Sequence, residues 1–175
     1  MFKKFRKKSP WILHYNAGSC NGCDIEILAC LGPKYDLERF GVINTGNPKQ
    51  SDIFLVTGPV TKRSRERVVE LYLQMPEPKV VVAVGSCTCT GGVFRDMYNV
   101  EDGLDRYIPV DVYISGCAAS PELIIDGVVK ALEILETKTK ESEKPFRLFK
   151  NFSLKEGIVS RRESALCIGE DDAKD

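Results

Sequence analysis

The residues of this chain best suited to chemistry are its seven cysteines. Their odd number and uneven positions argue against the disulfide framework of a small secreted protein and favour metal binding or redox chemistry. Cys20 and Cys23 form a Cys-x-x-Cys motif, Cys87 follows the dipeptide Gly-Ser, and Cys117 follows Ser-Gly. Four thiols therefore lie in glycine-containing segments of the kind that form tight turns.

Each of these cysteine-bearing segments follows a short apolar run that predicts a β-strand. The predicted strands begin at residues 11, 80 and 110, with further candidates at 53–57 and 42–44. The predicted helices are 21–31, 62–74 and 121–136. Alternating strands and helices predict an α/β fold, an open and mostly parallel sheet with helices on both faces. Because the carboxyl ends of parallel strands share one edge, we expect the four thiols to meet there.

Four thiolates at one point suit either a [4Fe-4S] cluster or tetrahedral zinc. Zinc is the less favoured interpretation, because structural zinc usually takes its ligands as two pairs that are each close in sequence, whereas Cys87 and Cys117 are far apart. Cys-x-x-Cys between a strand and a helix is also the redox motif of thioredoxin-like proteins, which do not require Cys87 or Cys117. Cys89 is a rival of Cys87 for one ligand position. Cys30 is interpreted as a small buried residue and Cys167 as incidental.

Charge and hydropathy exclude other classes of protein. The 175 residues include 25 basic and 25 acidic side chains, so the chain lacks the net positive charge of a general nucleic-acid binder. The longest apolar run, residues 80–84, is far shorter than the roughly 20 residues that span a bilayer. We therefore expect no nucleic-acid partner and no transmembrane segment.

Composition divides the chain into three parts. Residues 1–10 form a basic N-terminal arm, suited to a membrane surface or to a membrane subunit. Residues 11–136 are the predicted α/β domain that binds the metal. Residues 137–175 are predicted to be a polar linker and a C-terminal tail that packs on a partner.

Three motifs together resemble those of a known family. They are Cys-Asn-Gly-Cys-Asp-Ile-Glu at 20–26, Gly-Ser-Cys-x-x-x-Gly-Gly at 85–92 and Gly-Cys-x-x-x-Pro-Glu at 116–122. The chain is similar, over about residues 9–136, to the family that joins the small subunit of [NiFe] hydrogenases to the 20 kDa cluster-bearing subunit of respiratory complex I. Its spaced cysteine pair resembles the hydrogenase branch, and the membrane-bound, energy-converting hydrogenases in particular.

The resemblance implies a flavodoxin-like fold with one proximal [4Fe-4S] cluster at the carboxyl edge of the strands. The ligands it implies are Cys20, Cys23, Cys87 and Cys117. It further implies electron transfer between the Ni-Fe site of a large hydrogenase subunit and a ferredoxin-like Fe–S subunit. The complex would include membrane subunits and lie at the cytoplasmic face of the cell membrane. The chain would be one subunit of an oxidoreductase, without catalysis of its own.

Two other functions stay open at this point. One is the equivalent cluster subunit of a complex I-like quinone or sulfur-reducing oxidoreductase that lacks Ni-Fe. The other is a stand-alone zinc or thiol-redox α/β protein. Glu26, in the first helical turn, has two possible roles. It could transfer protons or form hydrogen bonds at an interface, or it could simply be a carboxylate that the helix dipole favours at this position. Asp24 and Glu122 are interpreted as such carboxylates, and His14 as a core residue.

Overall fold

The computed structural model describes residues 9–18 and 20–142 of the chain. The strands are β1 (Trp11–Asn16), β2 (Ile43–Asn44), β3 (Ile53–Thr57), β4 (Val80–Val84) and β5 (Val112–Ile114). The α-helices are α1 (Gly22–Leu31), α2 (Arg65–Gln74), α3 (Ser86–Thr90) and α4 (Pro121–Ser142). Short 3₁₀ turns lie at Leu37–Phe40, Pro48–Gln50, Gly92–Phe94 and Leu104–Arg106.

The five strands form one parallel sheet in the order β2-β1-β3-β4-β5. This is the strand order of flavodoxin-like folds, in which ligands bind beyond the carboxyl ends of the strands near the β1/β3 switch point. Every residue of β3 and β4 is buried. Strands covered on both faces are apolar throughout rather than alternating, which explains why these two runs are continuous in the sequence. The predicted fold class is confirmed.

Helices cover both faces of the sheet, as predicted. Leu55 and Val82 pack in one apolar layer with residues of α1 and α4, such as Ile27 and Val128. Phe54 and Val81 face the other side. The members of that second layer include Val68 of α2, Met75, Leu104 and Ile108. Neighbouring residues on each strand therefore serve opposite layers, as the pleat requires.

The helix predicted over residues 121–136 continues for six further residues to Ser142, into the segment predicted to be a linker. These residues are polar, and their sequence gives no apolar stripe. Thr139 is nevertheless buried, and its hydroxyl donates to the Leu135 carbonyl at 2.7 Å. The Lys138 ammonium donates to the Lys79 carbonyl at 3.0 Å. Contacts with the rest of the fold thus hold the last turns of the helix.

The edge of the sheet where the strands begin is fixed by three charged side chains, Lys79, Asp111 and Lys138, which we call the amino-edge network. Asp111 accepts hydrogen bonds from the Val81 backbone N–H at 2.9 Å and from Lys138 Nζ at 2.7 Å. Lys79 is 8% exposed and donates to the Tyr72 carbonyl at 2.9 Å, at the end of α2. The network joins β4, α2 and α4 at one place.

Residues 1–8 of the predicted N-terminal arm lie outside the described residues. The predicted C-terminal tail beyond residue 142 lies outside them as well. In the part of the chain that the structure describes, no helix is both long enough and apolar enough to cross a membrane.

Candidate metal centre

Three loops at the carboxyl edge of the sheet bear the four predicted ligands. Cys20 lies between β1 and α1, and Cys23 is in the first turn of α1. Cys87 lies in α3, directly after β4, and Cys117 lies between β5 and α4. The side chains of Cys20 and Cys117 are exposed, and those of Cys23 and Cys87 are half-buried. The thiols are thus at the edge where this fold class binds ligands.

The cysteines of the three loops affect one another electrostatically. Burial raises the pKa of Cys23, and the charges of Cys20, Asp24 and Cys117 raise it further. Burial also raises the pKa of Cys87, and the other three cysteines add to the rise. Thiolates that repel one another in this way are stabilised when a cation lies between them, because a bound metal ion inverts the local electrostatics.

Backbone groups approach two of these sulfurs. Hydrogen bonds from the backbone of Ala119 to Cys23 and from that of Val93 to Cys87 oppose the rise in the two pKa values. Such N–H groups favour the charged form of a thiol. Hydrogen bonds to sulfur are also one of the factors that set the reduction potential of an Fe–S centre.

Glycines leave space beside three of the four sulfurs. A Cβ atom on Gly85 would lie 2.6 Å from Cys23 Sγ, and one on Gly92 would lie 3.0 Å from Cys87 Sγ. A Cβ on Gly22 would lie 3.6 Å from Cys20 Sγ. Gly85 and Gly92 also have φ of +87° and +54°, which favour glycine. Glycine at these three positions therefore keeps a side chain away from the neighbouring sulfur.

The loops that carry the thiols are tied together by backbone hydrogen bonds. The N–H of Gly85 donates to the Ile114 carbonyl at 2.8 Å, and the N–H of Ser86 donates to the Gly116 carbonyl at 2.9 Å. The first and third loops are also close, since a Cβ on Gly22 would meet the Ala118 side chain at 3.4 Å. All three loops thus form one structural unit.

The donor set fits a metal–sulfur group. It consists of four soft thiolates, which select zinc or Fe–S clusters over hard cations. The glycines provide the room that such a group needs beside the sulfurs. Among residues 9–18 and 20–142, no three metal-binding side chains are close enough to chelate a single metal ion.

The remaining cysteines differ from these four in their surroundings. Cys30 is fully buried, with Sγ 3.5 Å from the Pro121 carbonyl. Cys89 Sγ lies 3.9 Å from the carbonyls of Ala83 and Ile114, against the sheet. Burial raises the pKa of both thiols to about 11, with further contributions from nearby carboxylates. Cys167 lies outside the described residues.

The first turn of α1 carries two carboxylates with different surroundings. Glu26, for which proton transfer or an interface role was a hypothesis, is partly exposed. Asp24 is instead hydrogen-bonded to His14 of β1, Asn16 of β1 and Thr57 of β3. The sequence did not predict this network, because its members lie up to 43 residues apart in the chain. The polar Thr57 at the end of a fully buried strand was the one signal for it.

Comparisons with known proteins show the family to which the chain is related. The protein family described as the 20 Kd subunit of NADH ubiquinone oxidoreductase matches residues 20–131. The chain is 54% identical over 142 residues to a probable membrane-bound hydrogenase subunit of Pyrococcus furiosus, covering 81% of this chain and 85% of that one. It is 40% identical over 152 residues to the chloroplastic NAD(P)H-quinone oxidoreductase subunit K of Psilotum nudum, covering 86% and 72%.

A solved structure is also similar to this chain. It is that of the membrane-bound sulfane sulfur reductase, an archaeal respiratory membrane complex. The matching chain is 38% identical, with a TM-score of 0.72, and the match covers 97% of this chain and 90% of that one. Hydrogenase, quinone oxidoreductase and sulfur reductase complexes therefore all contain relatives of this chain.

Proposed function

Because the chain belongs to the family of the 20 kDa subunit of NADH ubiquinone oxidoreductase, we propose that it is an electron-transfer subunit carrying one [4Fe-4S] cluster. The proposed ligands are Cys20, Cys23, Cys87 and Cys117. The observation that supports the proposal is the convergence of the three cysteine-bearing loops at one edge of the sheet, with glycines beside three of the sulfurs.

The bound cluster would supply one-electron transfer. The chain itself contributes the thiolates that hold it and the means of adjusting it. The backbone groups of Val93 and Ala119 hydrogen-bond to two of the sulfurs. Gly85 and Gly92 exclude side chains from the ligand side of the loops. Half-burial of Cys23 and Cys87 limits the access of water on the side facing the sheet.

Large apolar side chains are exposed on the elements that bear the thiols. Ile25 and Leu28 lie on one face of α1 and are 64% and 60% exposed. Val93, six residues after Cys87, is 76% exposed. Exposed apolar groups around a site indicate a surface that another protein covers. We propose a large hydrogenase-like subunit as that partner, with a ferredoxin-like Fe–S subunit and membrane subunits completing a complex at the cytoplasmic face of the membrane.

The identity of the large partner separates two forms of the proposal. The hydrogenase form, with electrons exchanged with a Ni-Fe site, is supported by the 54% identity to the Pyrococcus furiosus hydrogenase subunit. The form without Ni-Fe is supported by the similarity to a chain of the sulfane sulfur reductase complex. Two measurements on the complex purified with this chain distinguish them. Only the hydrogenase form should contain nickel, and only that form should reduce a dye with hydrogen as the electron donor.

The cluster is tested by purifying the full chain with its partners under anaerobic conditions. We expect this chain to account for about four iron and four sulfide per complex and for one EPR signal on reduction, in addition to those of the partner subunits. Changing Cys20, Cys23, Cys87 or Cys117 to Ala should remove this iron and signal. The matched controls Cys30→Ala and Cys89→Ala should retain both. A colourless chain containing zinc would instead support the stand-alone zinc protein. If Cys87→Ala kept its iron and Cys89→Ala lost it, Cys89 would be the third ligand in place of Cys87.

A further inference from the structure

Asp24, the residue directly after Cys23, is held by three hydrogen-bonding side chains. His14 Nε2 lies 2.9 Å from Asp24 Oδ1, and the Thr57 hydroxyl hydrogen-bonds to the same oxygen. The amide nitrogen of Asn16 donates to Asp24 Oδ2. Both carboxylate oxygens are thus satisfied by groups able to donate, as suits the ionised form. The Asp24 side chain is only 16% exposed.

The same side chains shape the loop that carries the first cysteine. Asn16 Oδ1 accepts a hydrogen bond from the Gly18 N–H at 2.8 Å, and Asn16 Nδ2 lies 3.3 Å from Asn21 Oδ1. Asn16 therefore bonds to residues on both sides of Cys20, while Asp24 follows Cys23. The network links the ends of β1 and β3 to the start of α1, and it fixes the cysteine pair between them.

The charge of Asp24 acts on the candidate metal centre. Asp24 directly follows the proposed ligand Cys23 in the first turn of α1. A cluster gains one negative charge when it is reduced. A fixed carboxylate beside one of its ligands therefore opposes reduction, and the low exposure of Asp24 weakens the screening of this effect by water.

We propose that Asp24 is a positioning and tuning residue, which fixes the Cys20–Cys23 loop and lowers the reduction potential of the cluster. This inference rests on the proposed function. The three hydrogen-bonding side chains hold the carboxylate in place beside Cys23, with both of its oxygens occupied. Glu26, two residues further along α1, lacks this set of partners among the hydrogen bonds of the described residues.

The test compares three variants in the full chain purified with its partners. Asp24→Asn keeps the shape of the side chain and removes the charge. Asp24→Ala removes the hydrogen bonds as well. Glu133→Gln is the matched control, an exposed carboxylate in the second half of α4. Each is examined for iron and sulfide content, for EPR line shape and for midpoint potential at a single pH.

We expect Asp24→Asn to keep its iron and to shift the midpoint potential upward. We expect the ratio of reduced to oxidised cluster at a fixed potential to change about tenfold, which corresponds to a shift of about 59 mV in the midpoint potential of a one-electron couple. Asp24→Ala should lose iron and broaden the EPR signal, since the loop is no longer held. Glu133→Gln should match the unmodified protein in every measurement.

A further variant, Thr57→Val, keeps the charge and removes one donor. Its potential should move downward, since the carboxylate is less neutralised, and this measurement decides the matter if Asp24→Asn binds no iron. Unchanged potentials in both Asp24→Asn and Thr57→Val would overturn the inference. If changing Cys23 to Ala removed no iron or sulfide from the complex, the proposed function itself would be overturned, whatever the Asp24 variants show.

Discussion

The two edges of the sheet differ in the residues that line them and in what those residues do. At the amino edge, Lys138 bonds to Asp111, and the charged side chains of Lys79, Asp111 and Lys138 each bond to a backbone group. At the carboxyl edge, glycines such as Gly85 and Gly92 keep side chains away from the cysteine sulfurs. One edge is held by completed polar contacts, whereas the other keeps sulfur atoms available. We infer that stability is concentrated at the first edge and cofactor binding at the second.

The largest effect is expected from filling the carboxyl edge. In Gly85→Ala the new methyl group would lie 2.6 Å from Cys23 Sγ, at a φ of +87° that alanine adopts poorly. We expect nearly complete loss of iron and EPR signal, together with a fall of about 3 kcal/mol in the free energy of unfolding.

The control for this prediction is Gly46→Ala, because a Cβ on Gly46 would meet no atom within 4 Å. That variant should keep its iron. If Gly85→Ala also retained a normal iron content and EPR spectrum, the loop after β4 would not closely surround the cluster, and the difference between the two edges would be lost.

The amino edge should show the reverse response. Asp111→Ala removes the acceptor of both the Val81 N–H and Lys138 Nζ, leaving a backbone N–H unsatisfied. We expect the free energy of unfolding to fall by about 2 kcal/mol in chemical denaturation. Iron content and midpoint potential of the folded protein should stay unchanged, because the effect is confined to the edge without thiols.

Asp126→Ala serves as the control, since Asp126 is an exposed carboxylate on α4. It should change stability by no more than about 0.5 kcal/mol. A shift of the cluster potential in Asp111→Ala would contradict the separation of the two edges. Equal loss of stability in Asp111→Ala and Asp126→Ala would show that the amino-edge network does not stabilise the fold.

The carboxyl edge was the more predictable of the two from the sequence. The continuous apolar runs gave the bounds of β3 and β4, and parallel strands require their ends to share an edge. The convergence of the cysteine loops followed from these two facts. Helix α3 was not predicted, because Ser86–Thr90 contains only serine, threonine and cysteine and so has no apolar periodicity.

The amino-edge network and the Asp24 network depend on contacts that local patterns do not encode. Lys138 and Asp111 are 27 residues apart, and Thr57 and Asp24 are 33 residues apart. Such polar pairs lack the regular spacing by which helices and strands are recognised. For this reason α4 was predicted to end at residue 136, and Asp24 was interpreted only as a carboxylate suited to the helix dipole.

The smallest effect, and the most local test of the comparison, concerns the reactivity of the thiols. Burial raises the pKa of Cys30 and Cys89 to about 11, so little thiolate forms at pH 8. Cys20 and Cys117 are exposed. In the full chain stripped of metal, we expect iodoacetamide to label the exposed pair first, as followed by peptide mass spectrometry.

Raising the pH from 8 to 10 sharpens this test. Because the thiolate fraction grows about tenfold per unit below the pKa, labelling of Cys89 should rise about tenfold per unit over this range. Cys30, which is fully buried, should stay slower than Cys89 because access also limits it. Labelling of Cys89 at pH 8 as fast as that of Cys20 would place its thiol at the open edge rather than against the sheet. Cys89 would then compete with Cys87 as a ligand, and the carboxyl edge would hold five available sulfurs instead of four.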